Sequence, residues 1–252
     1  MSSIVIVPTY NEASNIVKLV KLIYKHSPES HILVVDDNSP DGTGAIAEQL
    51  AAQELSKERL HVLHRTEKSG LGRAYLAGFQ WALDRDFDVM IEMDADLSHD
   101  PMYIQSLLEE SETSDVVIGS RYLNGISVIN WPLRRILLSW AANHYVRVIT
   151  QMAVNDCTSG FRLYRRSVLE SISLNSVKSN GYSFQVEMSF RAHVAGYRIT
   201  EVPIIFTERR SGQSKMSKRV IWESVWVPIK LRLQRKKLAK VQAVDLRHVN
   251  TT

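Results

Sequence analysis

The chain has 252 residues, 44% of them hydrophobic and 23% charged, with a net charge of +4, which suits a globular protein able to bury a full core without covalent staples. Its one cysteine, Cys157, excludes an intrachain disulfide and suits a reducing compartment. No stretch long enough to span a bilayer is free of charge, so no transmembrane helix is expected, and the start Met1-Ser2-Ser3 lacks the basic region and long apolar run of a signal peptide.

In chain order, Ser3–Val7 reads as a buried strand, and residues 13–26 carry Ile16, Leu19, Val20 and Ile23 at helical spacing. His31–Val35 predicts a second strand and Pro40–Gln53 a helix. Leu60–Leu63 predicts a third strand, Leu71–Leu83 a helix and Val89–Met93 a fourth strand. Asp100–Glu110 predicts a helix with Asp100 as N-cap and Pro101 at its first position. Val116–Gly119 is the fifth strand. Alternation of this kind predicts an α/β fold with a doubly wound, mainly parallel sheet flanked by helices. Ligands in such sheets bind beyond the carboxyl ends of the strands.

The second half is less regular. Leu133 to about Met152 reads as one long amphipathic helix, Phe161–Tyr164 as a short strand, Ser183–Val194 as a helix ending at Gly196, and Arg198–Phe206 as a strand. From Arg209 to Lys240 there are 11 Lys/Arg against the single acid Glu223, so this segment is +10 and the remainder −6. Trp222, Trp226, Val227 and Ile229 lie among those charges. Aromatics beside Lys/Arg suit a membrane interface; a charged helix packed on the surface is the plainer reading, and nucleic acid is the rival anion. No Pro/Gly-rich linker divides the chain. The expected organisation is one domain over 1–217 and a basic, amphipathic C-terminal extension over 218–252.

Three polar loops follow three of the predicted strands. Asp94-Ala95-Asp96 places two carboxylates side by side at a strand end, where their repulsion is relieved by a divalent cation; oxygen ligands suit Mg²⁺ or Mn²⁺. Asp36-Asp37-Asn38-Ser39-Pro40-Asp41-Gly42 is built of turn residues, in which Ser39 or Asp41 suits a cap and Asp37 suits a ribose or base edge. Pro8-Thr9-Tyr10-Asn11-Glu12 faces the same edge. Each loop alone is an ordinary turn; their convergence favours a nucleotide-sugar site. A phosphate-binding Gly-x-x-x-x-Gly-Lys-Ser/Thr loop is missing, as is Gly-x-Gly-x-x-Gly after the first strand, which disfavours P-loop and dinucleotide enzymes.

These loops, as Val7-Pro8-Thr9-Tyr10-Asn11-Glu12, Val34 to Thr43 and Met93 to Pro101, occur in order with Gly119-Ser120-Arg121-Tyr122, Asp156-Cys157-Thr158-Ser159-Gly160-Phe161-Arg162, Gly181-Tyr182-Ser183-Phe184-Gln185 and Gly212-Gln213-Ser214-Lys215-Met216. In that set the chain resembles the inverting GT-A glycosyltransferases, and within them the dolichol-phosphate (polyprenol-phosphate) mannose synthases, over roughly residues 4–220. The resemblance implies that Pro8, Tyr10, Glu12, Val35 and Asp37 hold the guanosine end of GDP-mannose. Asp94, Ala95 and Asp96 would lie at the diphosphate, with Asp94 and Asp96 on the metal. Ser98 stands where some relatives place a longer Gln, so it would reach the metal directly or through a water. Arg121, Arg209 and Lys215 would face phosphates, and Arg135, or Arg134 one register away, the acceptor phosphate.

The reaction so implied is in-line attack of a polyprenyl phosphate oxygen on the anomeric carbon, with inversion and loss of GDP. The acceptor is already an anion, so no strong general base is needed; Asp96, Arg121 and Arg135 are the expected catalytic residues. The lipid tail calls for a peripheral membrane contact at the cytosolic face, through the helix from Leu133 (with Trp131, Ile136, Leu137 and Trp140), through Lys218–Lys240, or through a separate membrane subunit. A nucleic-acid partner is not expected. The rivals are a polyprenyl-phosphate glucosyltransferase using UDP-glucose and a non-catalytic nucleotide- or membrane-binding module of the same fold.

Overall fold

Four apolar runs in the first half of the chain line up as one sheet in the computed structural model, which describes residues 1–53, 58–208 and 218–249. They are β1 (Ser3–Thr9), β2 (His31–Asp36), β3 (Leu60–His64) and β4 (Val89–Glu92), parallel throughout. Ile4 to Val7 and Ile32 to Val35 are completely buried, because helices cover both faces; strands buried on both sides read as unbroken apolar runs and not as alternations. β5 (Val116–Ser120), β7 (Arg162–Arg165) and β8 (Ile199–Pro203) extend the sheet to seven strands in the order β3-β2-β1-β4-β7-β5-β8, with β7 antiparallel to both its neighbours. A two-strand parallel ribbon, β6 (Val128–Ile129) with β9 (Phe206–Thr207), lies apart.

Helices α1 (Ile16–His26), α2 (Thr43–Ala51) and α4 (Ile104–Glu110) close one face. The other is closed by α3 (Leu71–Leu83), α6 (Arg166–Ser171) and α7 (Gly181–Val194), with residues of α5 (Leu133–Thr150) and α8 (Lys218–Val249) joining the same core. This is the doubly wound α/β architecture expected from the alternation of elements. Ile16, Leu19, Val20 and Ile23 form the buried stripe of α1. The side chain of Asp100 accepts a hydrogen bond from the Met102 amide at 3.0 Å, and Pro101 opens a short 3₁₀ turn ahead of α4.

Several elements differ in extent from their sequence reading. Pro40 to Gly42 stay in a turn: Gly42 adopts φ 84° and Asp41 accepts the Thr43 amide at 3.0 Å, so the helix starts at Thr43. The expected strand 198–206 breaks at Ile204-Ile205 into β8 and β9. β6 and α6 carry too few residues to show a period. Along α5 the buried residues are Asn143, Val146 and Thr150, while Leu133, Leu137, Leu138, Trp140 and Val148 are more than half exposed. The helix therefore turns polar residues inward and apolar ones outward, the reverse of a core helix. α8 packs on α7 and α5, with Leu231 buried and the Tyr145 hydroxyl donating to the Val225 carbonyl at 2.7 Å. Among the described residues no helix is long and apolar enough to cross a membrane.

Candidate active site

The loops after β1, β2 and β4 meet at the carboxyl edge of the sheet, where a cavity of about 370 Å³ opens. Each loop carries a non-glycine residue in the left-handed region: Asn11 (φ 63°), Asn38 (φ 57°) and Leu97 (φ 64°). Asn tolerates that conformation, whereas Leu does not adopt it readily, so the Asp94–Ser98 loop is held under strain. The loops after β1 and β2 are stitched together by polar side chains. Asp36, at the end of β2, accepts from the Thr9 hydroxyl (2.9 Å) and from the Ser39 amide and hydroxyl (3.1 and 2.6 Å). Thr43 accepts from the Glu12 amide at 3.0 Å, and Asp41 accepts from the Ala13 amide at 3.0 Å. Burial would raise the Asp41 carboxyl, but its hydrogen bonds from Thr43 and Ala13 hold it below its ordinary value.

Pro8, Tyr10, Glu12 and Asp37, the residues expected at a nucleoside, all line the cavity. Val35 does not: it is fully buried in β2, beside Pro8, and supports the wall from behind. Asp37 is nearly buried and receives Arg65 Nη1 at 2.6 Å. Burial raises its carboxyl despite that arginine. Lys68, not foreseen from sequence, lies 3.8 Å from the centroid of the Tyr10 ring, a cation–π contact at the cavity wall.

Asp94, Ala95 and Asp96 form the middle of the cavity. The Asp94 amide donates to His99 Nδ1 at 3.1 Å, so the single proton of the neutral imidazole sits on Nε2. Burial pulls His99 below its ordinary value despite the facing carboxylates of Asp94 and Asp96. Asp96 accepts the Ser98 amide at 3.0 Å, closing a tight turn. Gly160 faces Asp94, where an added Cβ would stand 3.7 Å from both carboxylate oxygens. Whether these residues suit a divalent cation is testable on the donors themselves. Two carboxylates stand at one loop, and the Ser98 hydroxyl is buried two residues on with no hydrogen-bond partner. Among the described residues no group of three or more His, Cys, Asp or Glu side chains is arranged to hold a metal. Mg²⁺-like ions use one or two carboxylates and take their remaining ligands from phosphates and water, so the all-oxygen pair fits.

Beneath this loop lies a buried polar layer. Glu92, completely buried at the end of β4, accepts from Gln185 Nε2 at 2.7 Å. Burial, against the nearby Arg162 and Gln185, pushes its carboxyl up to about 8. Arg162, also completely buried, donates to the carbonyls of Cys157, Ser159 and Gln185 at 2.6–2.9 Å. It thereby fixes the Asp156–Gly160 loop and the start of α7 to each other.

Thr158, Gly160, Gly181, Tyr182 and Gln185 also line the cavity. Arg121 stands behind Thr158, donating to its hydroxyl at 2.8 Å, and is bound to Asp156 through Nε and Nη2, both at 2.7 Å. Asp156 is completely buried and also accepts the Arg121 amide at 3.0 Å. Burial would raise this carboxyl, but Arg121 holds it below its ordinary value; the Arg121 guanidinium, which burial would lower, is held up by Asp156. Arg135, at the start of α5, pairs with Glu208 and lies 4.0 Å from the Trp131 ring centroid; Arg121 lies 5.5 Å from the same ring. The two arginines named from sequence are therefore brought to one indole, each already balanced by a carboxylate. Arg134 is exposed. Arg209 and Lys215 lie outside the described residues.

Asp156, Glu208, Lys68, Arg65 and Gln185 received no role from sequence reasoning. Each gains its place from a partner 28 to 93 positions away, and only the Asp156–Arg162 and Gly181–Gln185 motifs carried a local signal.

The chain matches the profile of glycosyl transferase family 2 over residues 4–173. It is 50% identical over 225 residues to the polyprenol monophosphomannose synthase of Mycolicibacterium smegmatis, covering 89% of this chain and 84% of that protein. It is 48% identical over 225 residues to the undecaprenyl-phosphate mannosyltransferase of Micrococcus luteus, covering 89% of this chain and 91% of that protein. Among solved structures it is similar to glucosyl-3-phosphoglycerate synthase from Mycobacterium tuberculosis in complex with Mn²⁺, UDP-glucose and phosphoglyceric acid. The TM-score there is 0.67 at 17% identity, over 90% of this chain and 79% of that one, a likeness of fold.

Proposed function

From its membership of glycosyl transferase family 2, to which the chain belongs, we propose that this glycosyltransferase moves mannose from GDP-mannose to a polyprenyl monophosphate with inversion. Synthesis of a polyprenyl phosphate mannose is what both curated relatives are named for, and each aligns over 89% of the chain. The observation that carries the reading is the course of the cavity. The strands beneath it stand in the order β2-β1-β4-β7, so its wall carries Asp37, then Tyr10, then Asp94 and Asp96, then Thr158, whose hydroxyl accepts from Arg121. Nucleoside, diphosphate and an anionic acceptor would lie along it in the order the reaction needs.

Pro8, Tyr10, Glu12 and Asp37 would hold the guanosine end, with Val35 as backing, and Asp94, Ala95 and Asp96 would face the diphosphate. Mg²⁺ or Mn²⁺ held by Asp94 and Asp96, with Ser98 beside them, would offset the charge that grows on the leaving diphosphate. An acceptor phosphate oxygen forms the new bond to the anomeric carbon as the bond to the diphosphate oxygen breaks, and GDP leaves with the electron pair. The attacking oxygen is already ionised, so no side chain has to remove a proton. The barrier is the approach of two anions. Arg121 and Arg135, gathered at Trp131, would lower it, with Arg209 and Lys215 contributing at the phosphates. Glu208 holds Arg135 until the acceptor phosphate displaces it, a fork-to-oxyanion exchange that arginine suits better than lysine.

The acceptor tail stays in a bilayer, so the enzyme would work as a peripheral protein at a cytosolic membrane face. Residues 1–217 form the catalytic domain in this reading, and 218–252 join α5 in membrane contact. Leu137, Trp140 and Val148 on α5 and Trp222, Trp226 and Leu233 on α8 are all more than half exposed. Lys230, Arg232, Arg235 and Lys236 stand along α8. Apolar side chains with basic neighbours suit an anionic lipid surface. A membrane subunit that receives the same surface is a second route to the lipid.

The test is transfer of labelled sugar to a short polyprenyl phosphate, with GDP-mannose or UDP-glucose as donor, with Mg²⁺ or Mn²⁺, and with a chelator control. Chelator-sensitive labelling from GDP-mannose is the expected result. Labelling from UDP-glucose alone would overturn the donor, and labelling that survives chelation would overturn the metal.

A further inference from the structure

Tyr75 belongs to α3 and was given no role by any sequence motif discussed above. It is completely buried, and its hydroxyl donates to Asp94 Oδ1 at 3.2 Å. Its ring is stacked between Phe79 (6.1–6.3 Å separations, centroid to centroid) and Phe184 of α7. Phe79 packs in the same core without a hydroxyl, so packing alone would be met by phenylalanine at position 75.

Two glycines bring the helix close enough for the contact. A Cβ on Gly78 would stand 2.5 Å from Ile6 Cγ2 of β1, and one on Gly72 would stand 2.9 Å from Phe184 Cδ2. α3 is thereby pressed flat against the sheet and against α7, and Tyr75 projects from it under the loop that follows β4. A phenol is a hydrogen-bond donor at neutral pH, and a carboxylate can only accept, so the direction of the bond is fixed. The Asp94 backbone is fixed as well, through its amide on His99 Nδ1. One anchor sets the main chain and the other the carboxylate.

We propose that Tyr75 is a positioning residue whose buried hydroxyl holds one oxygen of Asp94 and so turns the other towards the divalent cation and donor diphosphate. The inference rests on the metal reading above. A hydrogen bond of this kind restricts a ligand before the ion arrives, and losing such a partner typically weakens metal affinity about 10–100-fold.

The experiment measures Mn²⁺ binding to the full chain with GDP present, by loss of the free Mn²⁺ signal in electron paramagnetic resonance, for wild type, Tyr75→Phe, Asp94→Ala and the double variant. Neither sugar nor lipid is present, so the outcome does not depend on the donor sugar or the acceptor. Tyr75→Phe should weaken Mn²⁺ binding about 10–100-fold, leave metal-free GDP binding unchanged, and retain the wild-type cooperative melt. In the Asp94→Ala background the same substitution should change Mn²⁺ binding less than about twofold, because the hydroxyl acts only through Asp94. Mn²⁺ affinity of Tyr75→Phe within twofold of wild type would overturn the proposal, as would an equal loss in both backgrounds. A wild-type chain that binds no Mn²⁺ with GDP would overturn it together with the metal reading, an outcome distinct from the other two.

Discussion

Asp156→Asn removes one charge from the most enclosed ion pair among the described residues and keeps the shape of the side chain. Wild-type Asp156 accepts three hydrogen bonds from Arg121, at 2.7, 2.7 and 3.0 Å, with the carboxylate fully buried and the arginine 5% exposed. The neutral amide leaves a guanidinium in a site water barely reaches. Breaking a buried pair on one side costs about 3–5 kcal/mol. For a chain of this length each kcal/mol lowers Tm by roughly 2–4 °C, so a fall of roughly 6–20 °C is expected at pH 7. The sign of the pH dependence follows from the Asp156 carboxyl, which burial would raise but Arg121 holds below its ordinary value of 3.8 in the folded chain. Its contribution is therefore fully present above that value and lost as pH falls through the lower, folded one. The Tm gap between wild type and variant should be constant from pH 5 to pH 8 and close only in strong acid. Thermal melts followed by circular dichroism measure it. A variant melting within ~3 °C of wild type at pH 7 would refute the account, since that is about 1 kcal/mol, the worth of an exposed pair. The paired replacement Arg121→Met with Asp156→Leu should recover much of the lost stability, as apolar substitutes for buried pairs do, and still transfer no sugar. That result would separate what the pair does for the fold from what Arg121 does for the acceptor.

Three further outcomes follow from the same geometry. Glu208→Gln releases Arg135 from its carboxylate, so the KM for a short polyprenyl phosphate should fall about 3–10-fold in steady-state transfer assays; a rise would assign Glu208 to the acceptor's own contacts. Glu92→Gln removes a carboxyl that folding raises to about 8 from 4.5. The folded wild type binds that proton more readily than the unfolded chain, so its stability falls as pH rises between those values. The variant should therefore gain in Tm relative to wild type from pH 5 to pH 8, and parallel melting curves would contradict it. Trp140→Glu and Trp226→Glu each place a charge on an exposed aromatic of α5 or α8. Each should reduce co-sedimentation with vesicles containing anionic lipid by about tenfold or more, since an aromatic side chain withdrawn from an apolar phase forfeits about 1.5–3 kcal/mol; unchanged sedimentation would remove that helix from the contact.

The side of the cavity formed after β1, β2 and β4 was legible in the sequence because its parts are local. These strands are continuous apolar runs, and a polar loop follows each directly, so reading one strand end gives the position of Asp37 or Asp94 without knowledge of the partner strand. Val35 shows the limit of that logic. It belongs to the motif yet stands in the core, because helices cover both faces of β2 up to its end. The side around Arg121 and Arg135 was legible only in fragments. Arg121 and Arg135 are 14 residues apart and reach one indole only because β6 and β9 pair and carry Trp131 beside Phe206. Asp156 meets Arg121 across 35 positions and Glu208 meets Arg135 across 73. No period or spacing encodes such partners. Asp100 and its Pro101, by contrast, form a cap within three residues and were readable for that reason.

α5 joins these two kinds of information. Its apolar residues suggested an amphipathic helix, and amphipathic helices ordinarily turn that face inward. Here the inward face holds Asn143, Val146 and Thr150: Asn143 Nδ2 donates to the Ser139 carbonyl at 3.0 Å and Thr150 to the Val146 carbonyl at 2.6 Å, while Asn143 Oδ1 is buried without a partner. The core therefore makes no demand on Leu137, Leu138 or Trp140, and water gains nothing from them. Arg135 at the head of the same helix stands 4.0 Å from Trp131. An amphiphile with an anionic head and an isoprenoid tail has the complementary layout, with charge at one end of the helix and hydrocarbon along it. A helix that exposes its apolar side while its first turn presents a guanidinium has the layout the proposed lipid acceptor needs, and that ordering would tie the proposed membrane contact to the chemistry.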